Sequence, residues 1–114
     1  MPGLVETLFA AALKLPGAEG GVACAGTVLE TRTAKVRGKA FLFLRAADLR
    51  LKLRDSLPAA TRIAKSHPAS VKAGAGGWVW VALAGPVVPA ATLRAWVRES
   101  HGLFAAPQGR PPRV

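Results

Sequence analysis

The stretch AFLFLRAADLRLKLR, residues 40–54, limits the possible folds more than any other. It opens with five apolar residues in a row, and then Leu49, Leu51 and Leu53 alternate with Arg50, Lys52 and Arg54. Side chains of a strand point to opposite faces in turn, so a period of two is a strand period. The first half therefore predicts a strand with little water on either face. The second predicts a strand with one dry face and one cationic face. Arg45 to Asp48 is short enough to be the tight connection of an antiparallel hairpin.

Helices are expected on both sides of this hairpin. Leu4, Val5, Leu8, Phe9, Ala12 and Leu13 recur at helical spacing within residues 3–14, and Leu15-Pro16-Gly17 ends that run. A second helix is expected after Asp55-Ser56-Leu57-Pro58, where Asp55 or Ser56 can cap, and ends at His67-Pro68. A third runs from Pro89 to about Leu103, with Leu93, Trp96, Val97, Ser100 and Phe104 inward and Arg94, Arg98 and Glu99 outward. Two more strands are expected. One is Thr27 to Thr33, read as an edge after a flexible Gly20-Gly21 link; the other is Trp78 to Leu83. Ala69 to Lys72 is a brief extended segment at most. The order helix, three strands, helix, one or two strands, helix predicts a two-layer α+β domain, an antiparallel sheet with its helices on one face. It fills residues 1–105, and the Pro- and Arg-rich 106–114 is expected to be a disordered tail.

Charge says most about partners. Sixteen Lys and Arg against six Asp and Glu leave a net +10, which attracts polyanions, nucleic acid first. Half of those cations fall within residues 32–54. If the leucines of residues 49–53 face the helices, Arg50, Lys52 and Arg54 gather on the open side of the sheet, with Lys35, Arg37 and Lys39 beside them. Phosphates are the natural counter-charge for such a face. Trp78 and Trp96 are read as core. Trp80 is carried as a candidate stacking platform for bases.

Catalysis finds little support. His67 and His101 have no metal-ligand spacing, Cys24 has no evident base, and Glu30, Asp48 and Glu99 form no pair. Lys72 to Gly77 lacks the ending of a P-loop and precedes a strand, so it is read as a mobile loop. We expect no enzyme, metal or cofactor. A single cysteine and no secretion signal fit the cytoplasm; no stretch is apolar enough to span a membrane, and a monomer is the starting expectation.

The chain resembles the MmcQ/YjbR-like family. The likeness rests on Leu13 to Gly17 (LKLPG) with Glu19 following, and on Val36 to Phe43 (VRGKAFLF). It continues through Leu51-Lys52-Leu53, Gly77-Trp78-Val79, and Leu93 to Leu103 with Ser100. It covers about residues 4–105. The resemblance implies an α-β3-α-β2-α fold, shared in outline with type III secretion chaperones, and DNA binding ahead of RNA. Where the family often has a tryptophan, Val22 to Gly26 has no aromatic residue. Two other functions fit the same pattern: a chaperone-like protein-interaction module, whose binding would resist salt, and a small-ligand binder with a pocket near residues 73–77.

Overall fold

A computed structural model describes residues 3–23, 27, 30–84 and 87–105. The expected tail at 106–114, Cys24, part of the expected 27–33 strand and Gly85-Pro86 lie outside the described residues. Among the described residues three α-helices, α1 (Leu4–Leu13), α2 (Leu57–Ser66) and α3 (Ala90–Ala105), accompany six strands. These are β1 (Glu19–Ala23), β2 (Thr31–Val36), β3 (Lys39–Leu44), β4 (Asp48–Lys52), β5 (Val71–Ala73) and β6 (Trp78–Ala82). They form one antiparallel sheet in the order β1-β2-β3-β4-β6-β5. The α+β class and the antiparallel sheet are as expected.

The leucines of β4 behave as their period requires. Leu49 and Leu51 are buried, as is Leu53 just past the strand, and Leu49 and Leu51 lie opposite Val81 and Val79 of β6. They share one core with Leu8 and Ala12 of α1, Ala60 of α2, and Leu93, Trp96 and Val97 of α3. All three helices thus cover the same face of the sheet. Each fully buried leucine removes enough apolar surface from water to contribute about 1.5–3 kcal/mol. Among the described residues no helix lies along the other face.

Two local features were not expected. Glu19-Gly20-Gly21 is not a link but the start of β1, the edge strand, and β2 begins only at Thr31. A side chain at either glycine would crowd its neighbours. A Cβ on Gly20 would stand 3.2 Å from both Phe9 and Leu13 of α1, and one on Gly21 would stand 3.0 Å from the Thr33 hydroxyl. The second feature lies in β3. Ala34 pairs with Leu42 but Lys35 pairs with Ala40, so Phe41 is an extra residue in its strand, a β-bulge. Phe41 is fully buried and packs edge-on against His101 of α3, with ring centroids 5.2 Å apart.

α3 is tied to the sheet by polar groups as well. The Ser100 hydroxyl accepts from the Lys52 N–H at 3.0 Å and donates to the Phe41 carbonyl at 2.6 Å. It stands between β3 and β4, where their ladder would otherwise continue beyond the Leu42–Leu51 pair. His101 is buried and donates from Nε2 to the Pro16 carbonyl at 2.7 Å, which fixes the end of α1. Glu99, expected to face outward, instead turns toward the start of α2. Its carboxylate accepts from the Arg54 N–H at 2.7 Å, the Ser56 N–H at 3.1 Å and the Ser56 hydroxyl at 2.6 Å. The backbone N–H groups at the start of a helix have no partners within it, and the carboxylate serves that end of α2.

Candidate functional site

The open face of the sheet is read from its register. Thr33 pairs with Gly21 and Phe43, Phe43 with Arg50, Arg50 with Trp80, and Trp80 with Lys72. Directly opposed residues share a face. One row therefore crosses all six strands: Gly21, Thr33, Phe43, Arg50, Trp80, Lys72. Its neighbours along the strands, Leu42, Leu49, Leu51, Val79, Val81 and Val71, are all in the core on the other side. Arg50 and Lys72 are exposed; Phe43 and Trp80 are half-buried. Aromatic and cationic side chains thus alternate over four adjacent strands.

The Lys72 ammonium sits 5.9 Å from the centroid of the Trp80 indole, within cation–π range. Trp78 is half-buried too, with ring centroids 5.9 Å from Phe43 and 5.9 Å from Phe104. It is not sealed in the core. It joins the open face to the last turn of α3. Two shallow recesses flank the Arg50–Trp80 pair. One, about 210 Å³, is lined by Thr31, Phe43, Arg45, Asp48, Arg50 and Trp80. The other, about 260 Å³, is lined by Arg50, Lys72, Ala73, Gly74, Trp78 and Trp80.

The expected cations distribute as follows. Arg50 stands at the centre of the face, and no acid pairs with it among the described residues. Lys52 alternates with it as expected, but its ammonium lies 5.5 Å from the Phe104 ring and its side chain is half-buried. Arg54 does not share the strand: β4 ends at Lys52, and Arg54 falls in the bend leading to α2. Lys35 is exposed on the open face, directly opposite Glu19 of β1. Arg37 and Lys39 do not stand beside Arg50. Arg37 and Gly38 are the two central residues of the β2–β3 turn, at φ of 55° and 78°, the type I′ arrangement that a two-residue hairpin favours. Lys39 is paired with Val36, whose side chain is in the core, so it belongs to the opposite side.

Acids neutralise two of the other cations. Arg45 binds Asp48 at 3.1 Å, and Arg32 lies on the helix side, 3.7 Å from Glu6 and 5.8 Å from the Phe9 centroid. Lys72 and Phe43 were not expected at the site. Lys72 enters because residues 71–73 pair with β6; a short extended segment before a hairpin was the available signal. The 73–77 stretch is not an open loop. It holds a 3₁₀ turn, Ala75–Gly77, and the Gly77 carbonyl accepts from the Leu53 N–H at 2.9 Å.

Among the described residues no three His, Cys, Asp or Glu side chains come together as a metal site, and no helix is long and apolar enough to cross a membrane.

A six-stranded antiparallel sheet with three helices on one face defines a small α+β fold, and comparison with solved structures finds it elsewhere. The crystal structure of Deinococcus radiodurans protein DR2400, a DUF419 domain, superposes with a TM-score of 0.64 over 87% of this chain and 76% of that one, at 24% identity. DUF419 is in the MmcQ/YjbR-like group. The similarity is one of fold. No family model matches the sequence, and no curated protein is significantly similar to it.

Proposed function

We propose that this protein is a non-enzymatic, MmcQ/YjbR-like nucleic-acid-binding domain that holds phosphates on the open face of its sheet. The observation that carries the reading is the row Phe43–Arg50–Trp80–Lys72, cationic and accessible, in a chain of net charge +10. Arg50 is the centre, Lys72 and Lys35 extend the positive surface, and Lys52 borders it. Arg37, at the tip of the β2–β3 turn, adds to the long-range attraction more than to the contact. Phosphate contacts position a strand without reading its sequence, so selectivity for particular bases is not part of the proposal. The family resemblance puts DNA ahead of RNA.

The test is a titration of the protein against a labelled duplex and a labelled single strand at about 50 and 200 mM salt. Four neutralised phosphates would lower the affinity by about 50- to 150-fold between those concentrations. Absence of binding to either at low salt ends the proposal. Binding that ignores salt points to a protein-interaction surface instead.

A further inference from the structure

We infer that the open face takes its nucleic acid as an unpaired strand, with bases stacked in the two recesses on either side of the Arg50–Trp80 pair. The inference rests on the phosphate-binding reading above and adds to it the form of the partner. Three observations carry it.

First, both recesses have aromatic walls. Phe43 and Trp80 bound one, and Trp78 and Trp80 bound the other. Phosphate binding alone has no use for half-exposed indoles, which lose apolar burial by facing water. A nucleobase returns that burial, because every base has a flat face that stacks on an aromatic side chain. Second, the recesses are small and shallow, below the ~300–1,000 Å³ of sites that enclose drug-sized ligands. They suit flat rings laid against a wall. Third, Arg50 lines both recesses, so a strand with a base in each carries the connecting phosphate past its guanidinium. Lys72, now near the Trp80 ring, is long enough to trade that contact for a phosphate.

A duplex cannot use this arrangement. Its bases are already paired and stacked, so it meets only the cations. An acidic peptide has the charge but no row of flat rings to fill the walls.

The discriminating probe is a labelled strand of roughly twelve nucleotides, within the range that single-strand binders occupy. It is compared with its duplex and with the same strand carrying abasic residues, which keep every phosphate and lose the bases. The expected result is binding about 10-fold tighter, or more, to the base-bearing strand than to either of the others at equal salt. Trp80→Ala should bring the base-bearing strand down to the abasic level, with far-UV circular dichroism and the urea midpoint of the variant as the control for folding. Trp80→Phe should restore most of the difference. Equal, salt-sensitive affinity for strands with and without bases would overturn stacking while leaving the phosphate face intact. Displacement of the strand by polyglutamate as readily, charge for charge, as by unlabelled strand would also overturn it. Binding to none of the three at low salt would remove both readings.

Discussion

Glu99 of α3 receives both the backbone N–H and the hydroxyl of Ser56, 43 positions earlier in the chain, at 3.1 and 2.6 Å. The last helix thus caps the second one, a task usually left to the residue that begins the helix itself. Burial alone would raise the Glu99 pKa. The hydrogen bonds from Ser56, Arg54 and Asp55 outweigh it, and the group titrates below its ordinary value. A lowered carboxyl pKa contributes stability above the unfolded-state value and loses it as pH falls through the folded one.

Glu99→Gln should therefore be less stable than the parent by about 0.5–2 kcal/mol at pH 7, the usual range for a lost helix cap. The gap should begin to narrow near pH 4, where an unfolded glutamate takes up its proton, and close as the pH falls below the lowered pKa of the folded group. Urea midpoints at neutral pH and near pH 3 check this; a gap independent of pH would show that the carboxylate is not the capping group.

Ser100→Ala should leave the Phe41 carbonyl and the Lys52 N–H facing each other without the hydroxyl that joins them. Each is an unsatisfied backbone group near the core, at about 1–3 kcal/mol. Hydrogen exchange at the Lys52 amide should accelerate well beyond that at Leu51, and the midpoint of unfolding should fall. An unchanged exchange rate would mean that β3 and β4 close the gap by themselves.

Two glycines with left-handed backbone should respond differently to alanine. Gly38, at φ +78°, has nothing within 4 Å of the place a Cβ would take, so Gly38→Ala meets only the backbone strain of that conformation, about 1 kcal/mol. Gly77, at φ +86°, would place its Cβ 2.5 Å from the Leu53 carbonyl oxygen. Gly77→Ala must also push β6 from the end of β4, and should be several times as destabilising in the same melt. Similar losses would show that the Leu53–Gly77 junction yields easily.

The parts of this architecture that the sequence revealed are those governed by short periods. Leu49, Leu51 and Leu53 alternate with cations, Val79 and Val81 with tryptophans, and each set was found where a period of two puts it. What escaped depends on distant neighbours. Gly20 and Gly21 read as a link because nothing nearby in the chain shows that Phe9, Leu13 and Thr33 stand close enough to crowd a Cβ there. Glu99 sits among outward positions of α3 and turns to α2 through contacts that helical spacing does not encode. The alternation of leucine and cation runs on in the sequence to Arg54, which lies past the end of β4. Lys72 joined the site by a pairing of three residues, too short to show a period.

The central claim is that position on the open face, not total charge, makes the protein a polyanion binder. Two double variants with equal net charge test it: Arg50→Ser with Lys72→Ser, and Arg37→Ser with Lys39→Ser. The slope of log affinity against log salt, measured for a single strand on both and on the parent, gives the number of phosphates each one still neutralises. The first variant should lose about two phosphate contacts and most of the affinity, while the second stays close to the parent. Equal losses from the two would contradict the assignment of binding to the row Phe43–Arg50–Trp80–Lys72.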